Sequence, residues 1–230
     1  LTIFALAAAA ACGGGDAAQE TTPTPRAPAA TPTPDRPDLT IFRNFIYPIT
    51  GACLPRSEGL MPNAPREYRS GVHEGVDFYD IDNCTEIVAG TAVVAAKDGV
   101  VVRADHDYHD LTAVELEAAN ARIAAGHADD PEVLDLFRGR QVWIDHGKGI
   151  ITRYAHLGAI AEGAEVGAKV VQGQTVGFVG DSGTPESLSA PGTEIHLHWE
   201  LRAGETFLGA GLAAWEVRML YEALFEPLPP

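Results

Sequence analysis

Residues 193–202 read TEIHLHWELR, and within them Ile195, Leu197, Trp199 and Leu201 alternate with His196, His198, Glu200 and Arg202. A period of two belongs to a half-buried β-strand, so the apolar set faces a core and both histidines share the other face. Two readings fit: an ordinary polar strand face, or a metal ligand beside a group that moves protons. The second needs partners from elsewhere in the chain. His73 and Asp77 stand in GVHEGVDFY, an even spacing that keeps both on one side of an extended strand. Tyr154 and His156 stand in RYAHL, again on one face. Alone, the first spacing is one that arises by chance, and the second is also read as a hydrogen-bonded histidine at a strand end. Together they offer a catalytic zinc its usual three protein ligands and open fourth position. Two histidines and one aspartate fill that count. The remaining histidines are then free to act as general base and transition-state stabiliser. No HExxH motif occurs, so in a hydrolase a histidine must take the place of a helix-borne glutamate base.

The elements that position these residues are mostly short β-runs. From Leu39 to about Ala104, stretches such as GVDFYDID and EIVAGTAVVAAKDGVVVRA carry β-branched residues bounded by Gly and Asp-Gly. Residues 140–156 predict a hairpin with HGKG at the turn. Residues 160–180 repeat small hairpin units with Gly at the corners. Lipoyl- and biotinyl-type carriers share that pattern, but the lysine tripeptide they modify is missing. Residues 105–139 interrupt the β pattern with nine acidic residues against Arg122 and Arg138. Thr112 and Glu115 form a capping-box signal, and Asp130-Pro131 opens a second helix. The segment predicts a helical hairpin inserted in a β domain, with His106, His109 and His127 on its surface. A last helix is expected within 208–225.

The N-terminal run LTIFALAAAAAC fits the apolar region of a secretory signal and is too short to span a bilayer. It lacks Met and a basic start, so the sequence reads as truncated. Small residues before Cys12, followed by GGGD, resemble a bacterial lipoprotein processing site, although Ala9 stands where Leu is usual. That resemblance implies lipidation of Cys12 and a membrane anchor; the alternative is a plain signal with an incidental cysteine. Residues 13–38 are rich in Pro, Thr and Ala and hold too little apolar bulk to offset ordering entropy, which predicts a tether. The folded domain is then 39–230. With Cys12 set aside, Cys53 and Cys84 remain as an even pair in an oxidising compartment and predict a disulfide, two free thiols being the alternative. The chain carries 32 Asp and Glu against 16 Lys and Arg, which argues against a nucleic-acid partner.

His73-x-x-x-Asp77, Tyr154-x-His156 and His196-x-His198, in this order, resemble the LytM/lysostaphin-type zinc endopeptidases. GVHEGVDF, VVAAKDGVVV, VWIDHGKGIITRYAHL, VVQGQTVGFVGDSG and IHLHWEL carry the resemblance over residues 45–203, apart from the insertion. It implies a mainly β fold, an open antiparallel sandwich of the duplicated hybrid type, here with a helical hairpin and a C-terminal helix added. It implies a zinc cofactor on His73, Asp77 and His198, with His156 and His196 as catalytic residues and Tyr154 lining the substrate site, a structural role for Tyr154 being the alternative. His146 matches a common family position and is assigned a structural role. The implied activity is hydrolysis of peptide bonds in bacterial peptidoglycan, in the cell envelope outside the cytoplasm. The alternative is a non-catalytic LytM-type module that binds or activates other wall hydrolases. The insertion and the loop GDSGTPESLSAPGTE depart from the family pattern, and both are expected to border the groove.

Overall fold

The computed structural model describes residues 39–69 and 71–225. Residues 1–38, with Cys12, the signal segment and the tether, lie outside them. The chain forms β1 (Pro65–Arg66), β2 (Gly71–Val72), β3 (Val76–Tyr79), β4 (Ala92–Val94) and β5 (Gly99–Ala104). The helices α1 (Ala113–Ala124) and α2 (Pro131–Arg138) follow, then β6 (Val142–Asp145), β7 (Ile150–Ala155), β8 (Leu157–Ile160), β9 (Lys169–Val170) and β10 (Thr175–Val179). A short α3 (Glu186–Ser189), β11 (His196–Ala203), β12 (Thr206–Phe207) and α4 (Ala214–Phe225) complete it.

A seven-stranded sheet runs β12-β11-β7-β6-β5-β9, with β3 also paired to β11. A three-stranded sheet runs β4-β10-β8. All pairings are antiparallel and the sheets stay open, the mainly β architecture expected. The β6–β7 hairpin turns through Gly147, Lys148 and Gly149, all with positive φ. Its strands bring Val142, Ile144, Ile150 and Tyr154 into the core.

Strand β11 carries His196 and His198. It is buried on both faces from His196 to Leu201, not half-buried as its alternation predicts. Leu197, Trp199 and Leu201 form the apolar face. Helix α4 covers it with Val217, Tyr221 and Leu224, spaced for one helical face. Trp199 meets Tyr221 edge-on with ring centroids 6.4 Å apart. Twelve residues make a marginal helix alone; burying these anchors, at about 1.5–3 kcal/mol each, holds it. The polar face is buried because other segments, α2 among them, close over it.

Helix α1 starts with a complete capping box. Thr112 Oγ1 accepts from Glu115 N at 3.3 Å, and Glu115 Oε2 accepts from Thr112 N at 2.9 Å. Asp130 precedes Pro131 as expected but makes no side-chain cap; its carboxylate takes Arg122 Nη2 at 2.5 Å instead. Cys53 and Cys84 form a disulfide with Cα atoms 5.5 Å apart, tying the segment before His73 to that after Asp77.

Candidate active site

Register builds the site. On the β3–β11 pair, Asp77 stands directly across from His198 and Tyr79 across from His196. His73 does not reach this point along one continuous strand. β2 ends at Val72, residues 73–75 break the strand, and Gly75 lets the chain pass close to β11. A Cβ on Gly75 would stand 2.5 Å from the Trp199 carbonyl oxygen and 2.9 Å from His198 Cε1.

Three donor atoms converge. Asp77 Oδ1 lies 2.9 Å from His73 Nε2 and 2.8 Å from His198 Nδ1, and the two nitrogens are 3.0 Å apart. All three residues are buried. Their other atoms are each held by a fixed partner. His73 Nδ1 donates to the Met61 carbonyl at 3.1 Å, and His198 Nε2 donates to Glu200 Oε1 at 3.1 Å. Asp77 Oδ2 accepts from Arg66 Nη2 at 2.9 Å. These contacts select the tautomers that leave lone pairs on His73 Nε2 and His198 Nδ1, facing each other and Asp77. Two imidazole nitrogens and one carboxylate oxygen are a donor set that suits zinc.

Burial pushes the His73 ring down to about 4, against the pull of Asp77. For His198 burial also lowers proton affinity, but Asp77 and Glu200 outweigh it and the net shift is upward. Burial acts to raise the Asp77 carboxyl; His73 and His198 outweigh it and hold it well below the carboxylate range.

His156 and His196 stand beside this cluster, their ring centroids 4.5 Å apart. His196 Nε2 is 3.8 Å from Asp77 Oδ1. His156 Nδ1 donates to the Ser182 carbonyl at 2.8 Å, and His196 Nδ1 to the Glu194 carbonyl at 2.8 Å. Both carbonyls belong to the loop 181–194, so that loop orients both rings. Tyr79 stacks on His196 at 4.2 Å and donates its hydroxyl to Glu194 Oε2 at 2.7 Å. Burial lowers the proton affinity of both histidines, His156 most. A neutral ring with Nδ1–H engaged has its lone pair on Nε2. His156 adopts φ +57°, rare for a non-glycine residue and concentrated at functional sites.

That turn at His156 moves Tyr154 out of the site. The parity that would put both on one face ends at Ala155, and Tyr154 lies fully buried in the core. Its hydroxyl accepts from Ala96 N at 2.8 Å and from Thr152 Oγ1 at 3.1 Å, so it lines no substrate groove. His146 bonds the Asp98 carbonyl and Thr152, both at 2.8 Å. His106, His109 and His127 are exposed on the insertion and its flank.

The cluster opens into a cleft of about 530 Å³ walled by Leu60, by Leu134 and Phe137 of α2, and by Thr184–Glu186 of the long loop. Beneath His73, Asp77 and His198 lies a buried ion network that the motif reading missed. Glu200 is 0% exposed; its Oε1 accepts from Arg138 Nε at 2.6 Å and its Oε2 from Arg202 Nη1 at 3.0 Å. Glu74 Oε2 accepts from Arg138 Nη2 at 2.5 Å and Arg202 Nη1 at 2.8 Å. Glu200 was visible as the third member of the alternating polar set, but a glutamate there reads as a solvated strand end.

No curated protein matches the chain. A zinc-containing peptidase from Vibrio cholerae is similar at 22% identity over 74% of this chain and 41% of its own, with a TM-score of 0.46. The chain thus spans about two fifths of that protein. The catalytic domain of lysostaphin from Staphylococcus simulans is 23% identical over 61% of this chain and 74% of its own, TM-score 0.38. The catalytic domain of the prophage-encoded EnpA from Enterococcus faecalis is 20% identical over 67% and 92%, TM-score 0.39. The model of peptidase family M23 matches residues 71–209, which hold every proposed ligand and histidine of the site. That match spans more than half of the 230 residues, and the chain belongs to peptidase family M23.

Proposed function

We propose that the chain is a zinc metalloendopeptidase that hydrolyses peptide bonds of bacterial peptidoglycan. The observation that carries this reading is the convergence of His73, Asp77 and His198 beside two buried histidines whose Nδ1 atoms are both engaged by backbone carbonyls. His73 Nε2, Asp77 Oδ1 and His198 Nδ1 would hold the zinc, which when bound would supply a Lewis acid to polarise a carbonyl and acidify water. The chain supplies the rest. His156 and His196 present Nε2 lone pairs beside the ligand cluster and share the proton traffic: one ring takes the proton of the attacking water and returns it to the leaving amine. Their carbonyl partners keep the rings from turning, so little reorganisation accompanies the step. Leu60, Leu134 and Phe137 give the cleft apolar walls on which a peptide can lie.

The proposed domain is 39–230, held outside the cytoplasm and anchored through lipidated Cys12. No helix among the described residues is long and apolar enough to cross a membrane, and the proposed anchor requires none.

The test is digestion of purified peptidoglycan by the wild-type chain and by H156A, with and without a zinc chelator, read by mass spectrometry. New chelator-sensitive amino termini are expected from the wild type. H156A should keep its zinc and lose at least about a hundredfold in rate. Full digestion by H156A, or digestion indifferent to the chelator, contradicts the mechanism. A zinc-loaded wild type with no products from several wall types favours the non-catalytic module.

A further inference from the structure

Arg138 is the last residue of the inserted helix α2, and its guanidinium ends beneath the metal ligands rather than in solvent. Its Nε donates to Glu200 Oε1 at 2.6 Å, the same oxygen that receives His198 Nε2 at 3.1 Å. Arg202 and Arg153 reach Glu200 through the other oxygen, Oε2, at 3.0 and 3.4 Å. Arg138 is thus the guanidinium bonded to the oxygen that orients His198. Its Nη2 is fixed on Glu74, the residue after His73, so the planar guanidinium is held through both Nε and Nη2. The backbone of Arg138 adds a third tie: its carbonyl accepts from His156 N at 2.9 Å.

The helix that carries Arg138 is itself anchored. Asp135 accepts from Arg103 Nη1 of β5 at 2.5 Å and from Gln141 Nε2 at 2.9 Å. Asp129, before α2, takes Arg69 Nη1 at 3.1 Å. A loose lid would not need a buried, doubly bonded arginine at its end.

We propose that Arg138 is a positioning residue for the ligand His198, acting through Glu200, so that the insertion is a working part of the metal centre. This rests on the metallopeptidase reading above. Partners that orient metal-ligating histidines typically change metal affinity by about 10- to 100-fold when removed. Arg138 stands one bond further out, which points to the lower end of that range.

The test is a double-mutant cycle on the 230-residue chain with R138M and E200Q. Zinc affinity is read by competition with a chromogenic chelator, and ligand geometry by the visible absorption of the cobalt-loaded protein. R138M should weaken zinc by about tenfold and alter the cobalt spectrum. In E200Q, which reduces that path to a single neutral amide oxygen, adding R138M should change both clearly less than it does in the wild type. A folded R138M with wild-type zinc affinity and spectrum overturns the proposal, as does a full additional loss in the double variant. If R138M alone fails to fold, E200Q against R138M/E200Q decides by the same criterion, since the double variant removes the buried pair together. A wild type that takes up no zinc, like H198A, overturns the metallopeptidase reading as well; a zinc-binding wild type with an indifferent R138M overturns this inference alone.

Discussion

Replacing Gly139 with Ala probes the junction between α2 and β6, on which the histidine pair depends. Gly139 has φ +64° and ψ −142°. Few residues but glycine occupy that region, and alanine there costs about 1–3 kcal/mol in backbone strain. Its methyl would also stand 2.2 Å from the Ser182 carbonyl oxygen and 2.6 Å from Ser182 Oγ. Relieving that overlap in packed surroundings adds roughly 1–3 kcal/mol. The sum, about 2–6 kcal/mol, lowers the melting temperature of a domain this size by about 5–20 °C. Gly126, in the turn between α1 and α2, is the matched control: φ is +88° and an added Cβ meets nothing within 4 Å. G126A should cost only about 1–2 kcal/mol. The displaced Ser182 carbonyl is also the acceptor for His156 Nδ1, so G139A should lose up to about a hundredfold in wall digestion from misplacement alone, with its zinc retained. Calorimetry and digestion on both variants settle the matter. A G139A melt within about 1 °C of G126A, with wild-type digestion, would refute the argument.

Two further outcomes follow from single contacts. Burial pushes the Asp135 carboxyl up, but the bonds from Arg103 and Gln141 outweigh it and hold it below the usual range. Its contribution is therefore complete above about pH 4 and fades as pH falls through the lower folded value. Between pH 5 and pH 3 the wild type should lose up to about 1 kcal/mol more than D135N; equal losses in denaturant melts would show that the contact contributes nothing. Y154F orphans the buried Ala96 amide and should cost about 1–2 kcal/mol with KM for a cleaved peptide unchanged, whereas a raised KM would return Tyr154 to the groove.

The site was legible where chemistry coincides with period. The alternation of β11 placed His196, His198 and Glu200 on one face, and the HGKG turn and the Thr112–Glu115 box marked their elements. Parity failed where the backbone leaves regular geometry. His156 turns through φ +57°, which no residue type announces, and so Tyr154 faces the core. His73 and Asp77 meet across a break at Gly75, not along one strand. Arg138 was beyond reach for another reason. Its partners Glu74 and Glu200 lie 64 and 62 residues away in sequence, and an arginine closing an acidic helix reads as a favourable surface charge.

The place where the helical hairpin enters the sheet has a consequence for the order of folding. Ala104 of β5 pairs directly with Val142 of β6, and Asp105 N donates to the Gln141 carbonyl at 3.0 Å, so the strands meet as if joined by a tight turn. Closing them across residues 105–141 instead of a two-residue turn costs about 2.5 kcal/mol of chain entropy. A helical pair built from local contacts shortens that span before the strands meet, so the β5–β6 edge gains by zipping after α1 and α2 have formed.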